Sequence, residues 1–511
     1  VKALLALAAV GCAPVGEDPP ERPVDRFADI QNALDAEHST SGARGISVGI
    51  IEGGELVATL HAGEAEAGRP LTDETLYRIG SVTKVLTATA ALRQVAAGAL
   101  DLDAPITDVL PEFSLPRTPD CAPHITARDL LSHQSTLVDY LEVDTTGADS
   151  ALATFVDRQM ASFYCWDTPG SFWNYSNTGF YVAGRAVEAT AGLDYPTVMA
   201  TDVFAPLGMN RTFFRPNDVA EDGDYAVGAT VDWEGGGAPR DAGPRAYDNA
   251  WARPAGYAWS NIPDLAKFLR FLMRGDSEFL PDALREELSD PQIVTWNIAD
   301  RERYGLGLFT SEGVLSAAGF HPTPMWTHGG NIPGFTAGIY VLPQLDAAAV
   351  FLASGDYVAL PETLRAWFSM LELPPAEPAS PLAFDPALAE AIVGTWRDPW
   401  NIGETRIWAD GDTIHIAAPD LDALEIPYDA ELVPAGAGTV SWRVQGVQAL
   451  FQFVPDDAGD IRWMRARFSV STRVDDGASD APTSEVAPAA ERRARVLDAL
   501  GQLAPAPLDL P

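Results

Sequence analysis

Ser81 and Lys84 stand three residues apart in "LYRIGSVTKVLTATAALRQVAAGAL", residues 76–100. On a helix that spacing puts both side chains on one face, one turn apart. A serine hydroxyl is a weak nucleophile without a base beside it. A lysine desolvated among Ala, Val and Leu, its pKa lowered, is such a base. The Ser81 backbone N–H at the helix start would also point toward a developing oxyanion, where the helix dipole helps. The competing reading is that Ser81 caps the helix and Lys84 reaches back to solvent. Against it, a positive charge near a helix N-terminus opposes the dipole by about 0.3–1 kcal/mol. Lysine is also scarce: Lys2, Lys84 and Lys267 are the only ones in the chain.

Two further stretches carry chemistry. In "TPGSFWNYSNTGFYVAG", Tyr175-Ser176-Asn177 lies in a loop entering a helix. A tyrosine near a lysine relays a proton, and an asparagine amide holds a substrate amide or the lysine. The alternative is that Asn177 caps the helix and Tyr175 packs beneath it. In "MWTHGGNIPGFTAGIYVL", His328-Gly329-Gly330 leads toward a strand. Glycines at a strand edge let a ligand backbone come close, and the Asn331 N–H could complete an oxyanion hole. A histidine there could donate to a substrate carbonyl or carboxylate; otherwise it is a surface residue in a Gly-rich turn. Gly45-Ile46-Ser47-Val48-Gly49 matches the G-x-S-x-G elbow, but that motif needs a strand-to-helix turn. Here the pattern continues into Gly53-Gly54, so Ser47 reads as an ordinary strand residue.

Ser-x-x-Lys, Tyr-x-Asn and His-x-Gly, in this order, resemble the three signature elements of the penicillin-recognising serine hydrolases. The resemblance is to the class C β-lactamase and D-Ala-D-Ala carboxypeptidase family, with its esterase and D-aminopeptidase relatives. "GALDLDAPITDVLPEF", "ITARDLLSHQSTL", "APLGMNRTFF", "PAGYAWSNIPDLAKF" and "YGLGLF" are similar to that family's phrases, over roughly residues 30–372. The resemblance implies an α/β fold of the β-lactamase/transpeptidase type: an antiparallel sheet flanked by helices, with an all-helical subdomain across the cleft. It implies Ser81 as acylated nucleophile, Lys84 as its base and Tyr175 as proton shuttle. Asn177 would hold substrate and Lys84, and the Ser81 and Asn331 N–H groups would form the oxyanion hole. The third element usually carries lysine in class C β-lactamases. His328 stands there instead, which argues against efficient β-lactam hydrolysis. A loop usually written Ser-Gly-Leu reads Ser135-Thr136-Leu137; if the glycine needs φ > 0, Thr136 forces a different loop.

The elements that position these residues are legible in outline. Residues 45–62 alternate like two strands around a Gly-Gly turn. A helix runs from Ser81 toward Gly98, a natural C-cap, and further helices fall at 125–133, 178–190 and 261–273. Residues 335–353 return to strands, so both ends contribute to one mixed sheet around a helical middle. Beyond "LELPPAEPASPLAF", three alternating segments predict a small all-β domain, a barrel similar to the lipocalin-like domain appended to such enzymes. The expected domains are a leader (1–12), a disordered tether (13–25), the hydrolase domain (26–372), a linker (373–384), the β-domain (385–475) and a tail with one short helix (476–511).

The formal charge of −38 across 511 residues excludes a nucleic-acid partner. The leader "VKALLALAAVGC" resembles a bacterial lipobox with Cys12 as the lipid-bearing residue. That implies an exported protein lipid-anchored in the cell envelope. Cys121 and Cys165 remain as one candidate disulfide or two buried thiols. The resulting expectation is a serine hydrolase without metal or cofactor. It would act through an acyl-enzyme on a small peptide, amide or ester, as a D-amino-acid peptidase or an esterase, with peptidoglycan a candidate partner. A β-lactamase proper and a catalytically silent peptidoglycan or peptide binder are the alternatives.

Overall fold

The computed structural model describes residues 26–142, 146–230, 240–295, 302–316, 318–378, 386–398, 401–436, 438–456, 458–467 and 469–474, with Arg493 and Val496. The leader with Cys12, the tether, most of the linker's second half and nearly all of the tail lie outside the described residues.

Gly53 and Gly54 take φ of +60° and +74°. A two-residue hairpin turn needs positive φ at both central positions, which is why glycine occupies both. The turn joins β1 (Gly45–Glu52) to β2 (Glu55–Glu66). The late strands β3 (Met325–Ile332), β4 (Phe335–Leu342) and β5 (Ala347–Ala353) complete the centre of the sheet. β5 pairs with β1 in a register running from Ile46↔Ala353 to Glu52↔Ala347, so the two ends of the hydrolase domain are neighbours. The full order is Arg69–Pro70, β2, β1, β5, β4, β3, Phe309–Ser311, Glu302–Tyr304 and Ile293–Val294. Every pairing in it is antiparallel, as the resemblance implies, and both ends of the domain contribute to it as the strand order suggests. β4 and β5 are buried along their whole length, which explains their unbroken apolar runs.

Helices α1 (Ala28–Ser41) and α5 (Pro361–Met370) cover one face, packing Ile30, Leu34, Leu364 and Trp367 against the sheet. The other face carries α2 (Thr83–Ala96), α3 (Asn177–Ala191) and α4 (Ile262–Arg274). The α2 sequence is apolar almost all round because α2 is buried almost all round. Ser81 itself lies in a 3₁₀ turn, Gly80–Val82, that runs straight into α2. Ser81 does not cap α2.

The C-terminal segment closes into an eight-stranded barrel, in which Gly394–Asp398 pairs with the last strand. Trp396, Trp442, Phe451 and Phe453 fill its core. Val496 from the tail is buried in the same core. Strands β6 (Ile461–Ala466) and β7 (Ser469–Arg473) lie at the hydrolase domain. There Trp463 packs on Phe172, ring centres 5.3 Å apart, and its Nε1 donates to Asp167 at 2.8 Å.

Cys121 and Cys165 form a disulfide with Cα atoms 6.4 Å apart, closing a separation of 44 residues. In the chain-entropy account a loop of this length stabilises the fold by about 4 kcal/mol. Reduction, or the double variant Cys121→Ser/Cys165→Ser, is expected to lower the urea midpoint of the hydrolase domain by a corresponding amount. An unmoved midpoint would show that other contacts already close the loop.

Candidate active site

Gly80 takes φ +49°, and a Cβ there would sit 2.7 Å from the Asn331 nitrogen. A Cβ on Gly330 would lie 2.1 Å from the Ile79 carbonyl oxygen and 2.9 Å from the Ser81 nitrogen. The two glycines therefore let the β3 backbone press against the turn that carries Ser81. Asn331 pairs with Thr336 in the ladder, one pair back from the residues that flank a two-residue hairpin loop. The flanking pair, Ile332 and Phe335, is the hydrogen-bonded one by alternation, so the Asn331 N–H turns away from β4 toward Ser81. Two backbone nitrogens, of Ser81 and Asn331, thus come together beside the serine.

Lys84 is fully buried. Its Nζ lies 3.1 Å from Ser81 Oγ, 2.7 Å from Asn177 Oδ1 and 2.7 Å from the Ala255 carbonyl oxygen. The last two atoms only accept hydrogen bonds. A neutral amine has two N–H bonds to give them and one lone pair left, which faces the Ser81 hydroxyl. Burial pushes the amine well below the ordinary lysine pKa; Asp139 opposes that shift and Arg467 adds to it. The Tyr175 and Phe180 rings line the same pocket, 4.8 Å and 5.4 Å from Nζ.

Ser176, rather than Asn177, caps α3: its Oγ accepts the Gly179 N–H at 3.2 Å. The cap leaves the Asn177 side chain to hold Lys84. Burial raises the Tyr175 phenol above the ordinary tyrosine pKa, and its interaction with Ser81 opposes that rise. The serine thus lies between an amine whose pKa is lowered and a phenol whose pKa is raised, the kind of separation that acid–base chemistry uses.

The His328 ring is buried on β3, and both nitrogens are engaged inside the protein. Nδ1 donates to the Gly329 carbonyl at 2.6 Å and Nε2 accepts from the Tyr304 hydroxyl at 3.1 Å. Burial pushes its pKa down to about 3, so the ring is neutral. Gly329 is exposed beside it.

Thr136 takes φ +54°: the loop keeps the left-handed turn, and the threonine bears a conformation that β-branched residues avoid. Its hydroxyl donates to the Asp167 carbonyl at 2.5 Å. His133 in the same loop takes φ +61°, and its ring packs against Tyr175 at a tilt of 35° with centres 4.2 Å apart. His133 Nδ1 accepts the Ser176 N–H at 3.1 Å.

Ser47 lies on β1 and is 1% exposed. Its Oγ contacts His61 Nδ1 and the Tyr77 hydroxyl, each at 2.9 Å, and His61 Nε2 reaches Asp73 at 2.9 Å. The order Ser-His-Asp resembles a triad in contacts alone. Ser47 is sealed inside a sheet strand without a helix start behind it, as the hairpin pattern requires.

Sequence reasoning passed over His133, Asp139, Ala255, Tyr304 and Arg467. His133 lies inside "LLSHQSTL", a segment already noted. Ala255 acts through a carbonyl, which no side-chain type reports. Arg467 comes from the barrel, far along the chain.

Two outcomes follow for pH. Lys84 is competent only above its folded pKa, so kcat/KM should fall as pH drops through that value, far below the ordinary lysine range. Asn177→Asp places a carboxylate against the amine, favours the ammonium and should move the acidic limb of the pH–kcat/KM profile upward by about one unit or more. A limb that stays in place would remove Lys84 as the group being titrated.

The beta-lactamase family model matches residues 29–371. Penicillin-binding protein 4 of Amycolatopsis lactamdurans is 28% identical over 344 residues, 63% of this chain and 83% of its own length. Esterase EstB of Burkholderia gladioli is 38% identical over 167 residues, 30% of this chain and 41% of its own. The crystal structure of a D-stereospecific amidohydrolase from Streptomyces sp. superposes with a TM-score of 0.52 at 26% identity, over 67% of this chain and 98% of that one. With Ser81, Lys84, Tyr175 and Asn177 joined in one cleft and the family model spanning the whole sheet-and-helix body, the chain belongs to the beta-lactamase family.

Proposed function

We propose that this protein is a serine hydrolase that works through an acyl-enzyme on Ser81, acting on small D-amino-acid peptides, amides or esters. The observation that carries the reading is the Lys84 amine, 3.1 Å from Ser81 Oγ with both other partners acceptors. Ser81 gives its proton to Lys84 as Oγ attacks the substrate carbonyl carbon. The oxyanion forms against the Ser81 and Asn331 N–H groups. The proton passes by Tyr175 to the leaving amine or alkoxide, the bond to it breaks, and the acyl group stays on Ser81. A water then gives its proton along the same path, attacks the ester, and frees the acid and Ser81.

Similarity to an amidohydrolase and to an esterase supports both bond types, and the site itself requires only a carbonyl and a leaving group. The neutral His328 ring places no cation where class C β-lactamases usually carry lysine, which keeps β-lactam hydrolysis third. The silent-binder alternative loses support because the four catalytic side chains make mutual contacts. The Cys121–Cys165 bridge suits an oxidising compartment, in line with export and a lipid anchor at Cys12.

An activated ester tests the machinery without asking for substrate recognition. Pre-steady-state hydrolysis of p-nitrophenyl acetate is expected to show a burst of about one equivalent per Ser81. Ser81→Ala should abolish the burst and lower turnover by about a thousandfold or more. Ser47→Ala should keep the burst and cost about 1 kcal/mol of stability through the partners it leaves behind. Equal rates for wild type and Ser81→Ala would make the binder the reading to pursue.

A further inference from the structure

The barrel sends one charged side chain into the catalytic cleft. Arg467, in the turn between β6 and β7, places its guanidinium 4.6 Å from the centre of the Tyr175 ring. Its Nε donates to Asp139 Oδ2 at 2.7 Å. The other Asp139 oxygen accepts the Asn177 backbone N–H, also at 2.7 Å. The Asn174 side-chain amide reaches the Arg467 carbonyl at 3.4 Å. Arg467 is thus locked to the loop that carries Tyr175 and Asn177.

Its charge is not used up by that anchoring. Asp139 is 8% exposed and both its oxygens are occupied, whereas the Arg467 side chain is 25% exposed. Among the described residues Nε is the only guanidinium nitrogen of Arg467 with a hydrogen-bond partner. The two Nη groups form the planar fork that pairs with a carboxylate. The other cations nearby offer no such fork. Lys84 is buried with its amine engaged, and His328 is neutral with both nitrogens taken. Arg465 is 1% exposed, stacked on Trp173 and bonded to Gln452. In a chain of net charge −38, an anionic group approaching the cleft meets repulsion except where a cation is placed for it.

Tyr175 is the group that delivers a proton to the leaving atom, and Arg467 lies on its ring. We propose that Arg467, supplied by the C-terminal barrel, is the specificity-determining residue for the leaving-group side of the cleft, where its free fork binds a carboxylate carried by the departing fragment, such as the C-terminus of a short peptide. This rests on the acyl-enzyme reading above.

A matched pair of esters tests it: 3-carboxyphenyl acetate and 3-carbamoylphenyl acetate share an acyl group and differ in leaving-group charge. Wild type is expected to favour the carboxylate about tenfold in kcat/KM, and Arg467→Gln to bring the ratio to about one. Arg467→Lys should retain part of the preference, having charge without the fork. The double variant Asp139→Asn/Arg467→Gln keeps a polar pair at the anchor, guards against misfolding and should also give a ratio near one. A wild-type ratio of one or less, or an equal fall on both esters in Arg467→Gln, would overturn the proposal. Titration of Ser81→Ala with N-acetyl-D-Ala-D-Ala and its C-terminal amide reads the same preference without turnover. Ester turnover that survives Ser81→Ala would defeat the acyl-enzyme reading alone, while equal affinities in the titration would defeat the carboxylate site alone.

Discussion

Everything in the cleft is arranged around one amine kept out of water. A charged Lys84 at zero exposure would be costly, and burial accordingly pushes the amine well below the ordinary lysine pKa, toward its neutral form. Once neutral it has two donors and one lone pair, and the surroundings must then match in number and direction. Asn177 Oδ1 and the Ala255 carbonyl take the donors, so the lone pair has Ser81 left. Arginine could not be discharged in this way. The demand explains why a lysine sits in an apolar helix that otherwise has no use for one. It also explains why α2, α3 and the Ala255 segment, distant in sequence, must meet within hydrogen-bond distance.

Holding Asn177 and Tyr175 at that point requires a loop bent more sharply than its residues prefer. His133 and Thr136 both occupy the left-handed region, each at about 1–2 kcal/mol. The bend is secured by hydrogen bonds to the segment that runs up to Tyr175. Trp166 N–H reaches the Thr136 carbonyl at 2.9 Å, Gly170 N–H the Gln134 carbonyl at 2.8 Å and Asn174 N–H the His133 carbonyl at 2.8 Å. Cys165, one residue before the first of these bonds, is tied to Cys121. The strain is therefore held between a disulfide at one end and the α3 cap at the other, and the phenol ring rests on the strained histidine.

Those features divide what sequence could and could not show. Local rules were legible: the Gly53-Gly54 turn, the return to strands after residue 335 and the Ser81/Lys84 spacing all depend on residues close along the chain. The register of β5 against β1 was not, because register between distant strands is set by what covers both faces. The fate of His328 was hidden for a similar reason. Nothing beside it in sequence announces that Tyr304, from another strand, satisfies Nε2. Thr136 was expected to change the loop; instead its hydroxyl found the Asp167 carbonyl and the left-handed turn persisted.

The barrel's place follows from the same constraint. It rests on residues 167–175, the stretch that leads into Tyr175, through Trp463 on Phe172, Trp463 to Asp167 and Arg465 over Trp173. A loop that carries catalytic groups and is bent against its own preferences gains most from contacts that restrict it. Trp463 and Arg465 supply them, and Arg467 extends the seat by ion pair to Asp139, the residue that also fixes the Asn177 backbone. Moving the barrel would therefore move the partners of Tyr175 and Asn177 together. The candidate site is thus built from residues of two domains, with Arg467 of the barrel packed on Tyr175.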